Sequence, residues 1–425
     1  DASTPHDVRE RHSRYYLRQL GAHESALRGG AQLAALDAIA NELDNVRAAW
    51  EWATRRKQAA DLDHALAALY LFFEMQGRAH EGADLFRSAA EALQPAAADD
   101  PLQLLQARVA ARAGALMWRA AQYDAAQALL HEAQEQMRAR GERAELAFAL
   151  RKLSGIATER GEYARGVALM EESLTLYRET GDRLGEAITL SNLGTTRETM
   201  GDREEAWNLH QESLRISREL DNRWNMAAVL SNLGVSAYGM GKLEQARELF
   251  EASVEHQRAL DDKRGVAIAL INLGETLKEL GRADEARRPL LEALQASREG
   301  GLRFAAAHAL GTLGTVAVAL ENAVEGREYF RQALRMMQET QSTPVTLASL
   351  PGAAELLLLE GQPARAVELL TFVQEHPASD QNTIDKAERV LEELSQVLPK
   401  DQYTEACRRG QQLELDEAVA ELLNE

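Results

Sequence analysis

A short string of residues that returns at a fixed interval is what most restricts the fold of this chain. Ser-Asn-Leu-Gly at 191–194 recurs at 231–234, and Ile-Asn-Leu-Gly stands at 271–274, so the interval is 231 − 191 = 40 and 271 − 231 = 40 residues. Weaker copies lie in the same frame at Leu153-Ser154 and Leu313-Gly314. A constant period of this length is typical of an array in which one small structural unit stacks on the next.

Three further positions keep the same frame: a glycine seven residues after the small residue, then a second small residue, then a serine or alanine. The glycine position is occupied by Gly161, Gly201, Gly241, Gly281 and Gly361, with Glu321 as the one departure. The second small position is occupied by Gly166, Ala206, Ala246, Ala286, Gly326 and Ala366. The serine or alanine position is occupied by Ser173, Ser213, Ser253, Ala293 and Ala333. Apolar residues before the glycine follow a helical period, and glycine accepts the left-handed conformation that ends a helix. Each unit is therefore predicted to be two helices. Extended to less regular units, the frame predicts an all-α solenoid of about eight helix pairs between about 61 and 378.

Composition and charge exclude several classes of function. The formal charge is 48 − 67 = −19, which disfavours direct binding to a nucleic-acid backbone. No apolar run approaches the length of about 18 residues that spans a bilayer, so no membrane partner is expected. Cys407 is the single cysteine; it is expected to be a buried packing residue, and the lack of an internal disulfide favours a cytoplasmic location.

Motifs that would carry chemistry are missing from the sequence. There is no Gly-rich phosphate loop ending in Gly-Lys-Ser/Thr and no His-Glu-x-x-His, and the ten histidines are scattered singly. Acidic pairs such as Glu204-Glu205 have the pattern of a solvated helix face rather than of an acid–base pair. We therefore expect no catalytic residues, no cofactor and no metal site, and a chain that works by binding.

The repeated residues resemble the tetratricopeptide repeat, whose signature places Leu-Gly, Gly, Ala and Ala at this spacing. The unit is longer than the usual ~34 residues, and Arg197, Ala237 and Leu277 replace the expected aromatic residue. The resemblance implies a right-handed superhelical solenoid with a 40-residue period and with helical caps at both ends.

Both ends of the chain resemble a particular regulatory class. Leu36, Ile39, Leu43, Val46, Trp50 and Ala53 step by three and four, which predicts one amphipathic helix. The text from Asn41 to Ala53, together with Arg11-His12 and Tyr15-Tyr16-Leu17, resembles the junction before the repeats in bacterial signal-transduction ATPases with numerous domains (STAND proteins), including LuxR-type and SARP-like regulators. A closing motif of the same group matches Tyr403, Ala406, Gly410, Leu413, Leu415, Glu417, Ala418 and Val419, with Cys407 in place of a tryptophan.

This second resemblance implies a division into a linker or cap at 1–57, repeats at 58–378 and a helical cap at 379–425. The first residue is Asp1, and an upstream nucleotide-binding module acting in cis is the expected partner of the linker.

In the resembled fold the first helix of each pair lines an inner groove, and fixed positions around the Leu-Gly residue face the ligand. Those positions, together with the recurring asparagine, give a partner-binding set of Arg108, Trp118, Arg119, Arg151, Glu159, Asn192, Thr195, Glu198, Asn232, Tyr238, Asn272, Glu275 and Lys278. The asparagines at 192, 232 and 272 leave two interpretations open. A carboxamide can clamp a peptide backbone, or it can hydrogen-bond an adjacent helix pair.

Three binding functions fit this pattern. The leading prediction is a non-catalytic sensor whose protein or peptide ligand regulates an attached STAND ATPase. The alternatives are a passive adaptor that joins two proteins and a receptor for a peptide signal. An enzyme is the least favoured reading.

Overall fold

The structure is a computed structural model, and it describes residues 5–94, 102–340, 343–379 and 381–424. Within these residues all regular structure is helical. The chain divides into two compact units, unit 1 up to Ser236 and unit 2 from Ala237 onward. The predicted boundaries at 57 and 378 stay predictions.

Eight consecutive helix pairs form the repeated part of the chain, as the period predicts. Their bounds are α5 Ala59–Met75 with α6 Ala79–Ala92, α7 Leu102–Arg119 with α8 Tyr123–Arg140, α9 Arg143–Glu159 with α10 Tyr163–Thr180, α11 Arg183–Thr199 with α12 Arg203–Glu219, α13 Arg223–Gly239 with α14 Leu243–Ala259, α15 Lys263–Glu279 with α16 Ala283–Glu299, α17 Arg303–Ala319 with α18 Ala323–Thr340, and α19 Thr343–Leu359 with α20 Pro363–Glu375. Within unit 1, α6 packs on α7, α8 on α9 and α10 on α11; within unit 2, α14 packs on α15, α16 on α17 and α18 on α19. This sequential packing of paired helices is typical of a tetratricopeptide solenoid.

A residue with positive φ ends the helices at a spacing of 20 residues. From 121 to 321 every such turn has one, and Gly361 continues the frame. In the turn after α11, for example, Gly201 has φ +89° and the N–H of Asp202 donates to the carbonyl of Arg197 at 2.9 Å. This is the six-residue closure with which helices commonly end. Helices of 17 residues with three-residue turns thus account for a 40-residue pair.

Small residues allow the two helices of a pair to approach closely. A Cβ added at Gly274 would lie 2.5 Å from Cγ of Leu290, and one added at Gly314 would lie 2.8 Å from Cζ of Phe330. The recurring serine has a different function. The hydroxyl of Ser213 donates to the carbonyl of Ala187 at 2.7 Å, so it joins α12 to α11 of its own pair.

Four helices precede the repeats, namely α1 Pro5–Ala22, α2 Glu24–Arg28, α3 Gln32–Asn41 and α4 Leu43–Arg55. The single amphipathic helix predicted over 36–53 is two helices, because the backbone leaves helical geometry at Glu42 (φ −110°, ψ 12°). The apolar residues of the predicted helix are nevertheless buried on both sides of this break. A periodic pattern survives such a break because both helices pack on one core.

The connection between α2 and α3 reaches the repeats far along the chain. Nη1 of Arg28 lies 3.1 Å from Oδ1 of Asp182, in the turn before α11. The carboxamide of Asn222, at the start of α13, donates to the carbonyl of Arg28 at 2.8 Å, and the N–H of Trp224 donates to Oε1 of Gln32 at 3.1 Å. Asn222 and Gln32 are buried. These contacts, here called the Arg28 contact, join the N-terminal helices to the end of unit 1.

Three helices follow the repeats in unit 2, namely α21 Gln381–Val397, α22 Lys400–Gly410 and α23 Leu415–Asn424. Gly410 of the predicted closing motif lies where α22 meets α20, and a Cβ there would come within 2.4 Å of the carbonyl oxygen of Glu368. Cys407, expected to be buried, is partly exposed. None of the described helices is both long enough and apolar enough to cross a membrane.

Candidate functional site

The first helices of successive pairs form one surface in each unit, here called the first-helix surface. In unit 1, Nζ of Lys152 on α9 donates to Oε1 of Glu74 on α5 at 2.6 Å, although α7 lies between these helices in the series. In unit 2, Nζ of Lys278 on α15 lies 3.6 Å from Oε2 of Glu355 on α19. Side chains two pairs apart meet in this way only where the surface is concave, so each unit has an inner side.

Unit 1 buries a network of charges on α5, α7 and α9. Arg112 holds Glu145 through both terminal nitrogens, and Nε of Arg108 lies 3.0 Å from Oε1 of the same carboxylate. Arg108 also pairs with Asp63. Burial alone would raise the pKa of Glu145, but Arg112 and then Arg108 more than offset it, so the pKa is lowered. The network therefore holds Glu145 ionised inside the concave side.

A second buried pair lies beside it. The hydroxyl of Tyr70 donates to Oε1 of Glu74 at 2.6 Å, next to the ammonium of Lys152. Burial lowers the pKa of Lys152 to about 7, and the attraction of Glu74 opposes this shift only in part. Burial raises the pKa of Glu74, but the charges of Lys152 and Arg151 outweigh it and hold the pKa at about 2. Close pairing thus offsets the cost of burying the Glu74 carboxylate in full and that of burying the Lys152 ammonium only in part.

Aromatic rings surround the cations of this network. The guanidinium carbon of Arg112 lies 4.0 Å from the ring centroid of Phe148, and that of Arg151 lies 5.5 Å from it. Nζ of Lys152 lies 5.6 Å from the ring of Trp118. Burial alone would lower the pKa of Arg151, but the charge interaction with Tyr177, and then those with Tyr70 and Glu74, raise it. Of the predicted groove residues, Arg108, Trp118 and Arg151 therefore come together, with the two arginines engaged in internal pairs.

The next stretch of the surface, on α9, α11 and α13, is uncharged for the most part and partly exposed. We call Thr158, Asn192, Thr195, Glu198 and Asn232 the polar ladder. The carboxamide of Asn232 donates to the hydroxyls of Ser191 at 3.2 Å and of Thr195 at 3.3 Å. Ser236 donates to Glu198, and the hydroxyls of Thr158 and Thr196 lie 3.4 Å apart. Neighbouring first helices are thus joined by polar side chains.

The open question about the recurring asparagine has an answer for one position. Asn232 binds the adjacent pair, which is the structural interpretation, while its Oδ1 remains a possible acceptor. Asn192 and Asn272 are half-buried on their helices, where Thr196 and Thr276 donate to their backbone carbonyls. The other two predicted residues of unit 1, Arg119 and Glu159, are exposed at the ends of α7 and α9.

The predicted residues Tyr238, Glu275 and Lys278 come together in unit 2 around a cavity of about 50 Å³. Nε2 of His308 lies 3.3 Å from Oε1 of Glu275, and the hydroxyl of Thr312 lies 3.5 Å from the same oxygen. Burial raises the pKa of Tyr238, and Glu275 and Glu279 add to the effect. Burial would raise the pKa of Glu275 as well, but Lys386 and then His308 reverse the shift and lower it.

Helix α21 contributes to this cavity from outside the repeats. Lys386 and Arg389, three positions apart on α21, line it, and Nη1 of Arg389 lies 3.7 Å from Oε2 of Glu279. The prediction of groove residues did not include them, nor Arg112, Glu145, Glu74 and Lys152. The two basic residues stand among the acids Asp385, Glu388, Glu392 and Glu393. This isolated Lys-x-x-Arg is the sequence signal that could have indicated a basic contribution to the cavity. It lies beyond the repeat frame, which alone was used to predict the groove residues.

The described part of the chain holds no group of three His, Cys, Asp or Glu side chains placed to bind one metal ion. His64 and His80 are exposed. The acidic pair Glu204-Glu205 is exposed on α12, as its pattern predicts.

Residues 145–219 and 225–299 match the model of the tetratricopeptide repeat, so this part of the all-helical chain consists of tetratricopeptide repeats. No curated protein matches it in sequence. Among solved structures, a Rap protein complexed with Competence and Sporulation Factor is similar over 91% of this chain and 99% of its own, with 14% identity and a TM-score of 0.57.

Two other structures are similar over most of this chain. A STAND protein with a tetratricopeptide repeat sensor from Pyrococcus horikoshii aligns with 88% of this chain and 55% of its own, at 14% identity and a TM-score of 0.59. The apo form of the quorum sensor NprR from B. thuringiensis aligns with 91% and 99%, at 16% identity and a TM-score of 0.50. At these identities the similarity concerns the fold alone.

Proposed function

We propose that this chain binds a peptide, or an extended segment of a protein, along the polar ladder of unit 1. The observation that carries the proposal is the ladder itself, in which exposed or half-buried hydroxyl, carboxamide and carboxylate groups follow one another on α9, α11 and α13. An extended peptide presents N–H and C=O groups at regular steps, and side chains that both donate and accept can follow them.

The buried network at α5 to α9 supports the ladder rather than competing with it. Arg108, Arg112 and Lys152 are paired with acids of other helices, so they fix the curvature of the first-helix surface. A rigid surface reduces the ordering cost of binding.

Similar structures favour a receptor for a peptide over a passive adaptor. The Rap protein of the first comparison holds Competence and Sporulation Factor, and a Rap conjugation gene regulator of plasmid pLS20, similar over 91% of this chain with 14% identity and a TM-score of 0.53, is solved with the Phr* peptide. These ligands belong to those proteins. For this chain they suggest the class of ligand, a short peptide.

The test is selection of peptides from a random display library on the whole chain, followed by fluorescence anisotropy with the enriched sequence. Replacing both Asn192 and Asn232 by alanine should weaken binding about thirtyfold, since each carboxamide contributes about 1 kcal/mol through its hydrogen bonds. A matched control is Glu204→Gln with Glu205→Gln on the exposed face of α12, which should leave affinity unchanged. Equal affinity in all three proteins, or no enriched peptide, would contradict the proposal.

A second candidate is the sensor of a STAND ATPase, with peptide binding as its input. The specific support is the Pyrococcus horikoshii protein, whose aligned region is about half of that chain, together with the residues at both ends that resemble this class. A ligand acts as a regulator only if its affinity differs between two states of the protein. In a protein that joins this chain to a STAND ATPase module, saturation with the selected peptide should therefore change the rate of ATP hydrolysis. An unchanged rate would contradict the sensor function and would support peptide binding without regulation.

A further inference from the structure

The first-helix surface of unit 2 presents acids that its own repeats do not balance. Glu275 and Glu279 lie one turn apart on α15, and Glu355 approaches from α19. Lys278 is the single lysine or arginine that the repeat helices contribute to the cavity lining, so the charge there is 1 − 3 = −2 with His308 neutral. Lys386 and Arg389 of α21 restore the balance.

Helix α21 contacts the rest of unit 2 in two different ways. Its apolar residues Ala387, Val390, Leu391 and Leu394 are buried, and its neighbours include α19, α20 and α22. Its two basic residues instead meet the acids of α15. The Arg389 side chain is 55% exposed and stands 3.7 Å from Glu279, which is longer than a hydrogen bond.

This contact is weak by the standard of the chain itself. The pair of Lys152 and Glu74 in unit 1 is 2.6 Å long and buried, whereas exposed ion pairs contribute little to stability. A cavity remains beside α21, bounded by Tyr238, His308 and Thr312. Arg389 thus meets Glu279 through a long, solvent-exposed pair, and Lys386 lines the same cavity.

We propose that α21 occupies a binding surface for a basic helix, and that a partner segment carrying two cations three residues apart displaces it from Glu275 and Glu279. The partner is a protein helix of the type Lys-x-x-Arg with an apolar face. Since α21 is joined to α20 by residues 376–380, the free chain carries this competitor at an effective concentration on the order of millimolar. The inference goes beyond the polar ladder of unit 1 and does not depend on it.

The experiment uses the whole chain and a fluorescein-labelled peptide of residues 381–397 as the probe. Wild-type chain should bind micromolar probe weakly, because α21 competes in cis. Charge reversal by Lys386→Glu with Arg389→Glu repels α21 from α15, and it should increase probe affinity about tenfold and accelerate hydrogen exchange of 381–397. Adding Glu275→Gln with Glu279→Gln to this variant should abolish the gain.

The matched control reverses charge on the exposed face of the same helix, by Glu392→Lys with Glu393→Lys, and should behave as wild type. If charge reversal unfolds unit 2, judged by circular dichroism and by exchange in α22, the neutral variant Lys386→Gln with Arg389→Gln replaces it.

Unchanged exchange in α21, unchanged probe affinity, or a gain that survives loss of Glu275 and Glu279 would each overturn the inference. These outcomes are separate from failure of the polar ladder, because the variants at Asn192 and Asn232 alter no residue of unit 2.

Discussion

His210 is a titratable residue in an apolar position. It is 1% exposed, and its ring fills the space opposite Gly194 that Leu290 fills opposite Gly274 and Phe330 opposite Gly314. Burial lowers the pKa of His210 to about 4, from 6.5. Because the folded-state pKa is the lower one, the unfolded chain takes up a proton first as the pH falls. The contribution of neutral His210 is therefore complete above about pH 7 and is lost as the pH falls from 6.5 towards 4.

Replacing His210 by phenylalanine should remove this dependence, since phenylalanine already serves at the same place in another pair. Urea unfolding followed by circular dichroism at pH 7.5 and pH 5 measures it. Wild type should lose about 2 kcal/mol more than the variant between these two values. Parallel losses in the two proteins would show that His210 is protonated when folded or that other groups dominate.

Two glycines inside helices should respond in opposite ways to alanine. At Gly274 the added Cβ meets Leu290 at 2.5 Å, so Gly274→Ala should cost about 1–3 kcal/mol by overpacking. At Gly311 the nearest atom is Cβ of Ser349 at 3.5 Å, an ordinary contact. Gly311→Ala should therefore be neutral or stabilise α17 by up to about 1 kcal/mol. The change in midpoint temperature of thermal unfolding, measured for both variants against wild type, tests this difference. Equal changes in the two variants would contradict the packing argument.

At the scale of the helix and the turn, the sequence was informative because local geometry determines local residue types. A left-handed turn residue favours glycine, and Gly161, Gly201 and Gly281 predicted the ends of first helices correctly. Glu321, the one departure, adopts the same conformation with φ +57°. The second turn of each unit has the same geometry, but its glycine is replaced by Asp221 and Asp261 in successive pairs, which hides the 20-residue spacing.

Contacts between first helices were not predictable in the same way. The frame predicted that Arg108 and Arg151 face the inner side, but it could not show that Glu145 would pair with Arg108 or that Tyr177 would raise the pKa of Arg151. Such pairings depend on how strongly the surface curves, and curvature is a property of several pairs together. The helix break at Glu42 and the position of α21 beside α15 depend in the same way on packing partners that are distant in sequence.

At the scale of unit 1, the Arg28 contact joins the N-terminal helices to the start of α13. Replacing Gln32 by methionine keeps the volume but leaves the partly buried N–H of Trp224 without its acceptor, which should cost about 1 kcal/mol. Hydrogen exchange should then accelerate in residues 24–41 and 220–226 together. Asp37→Asn, on the exposed side of α3, is the control. Faster exchange at only one of the two segments would show that they are not coupled.

The same contact has a mechanical consequence. In a stack where each hairpin contacts only its neighbours, tension extends the hairpins one after another. In unit 1 the segment around Arg28 and Gln32 is tied to Asn222, some 190 residues away, so that part of the chain is closed into a loop. Tension applied between residues 5 and 236 loads this tie first. The hairpins between can extend only after it ruptures, in one abrupt event.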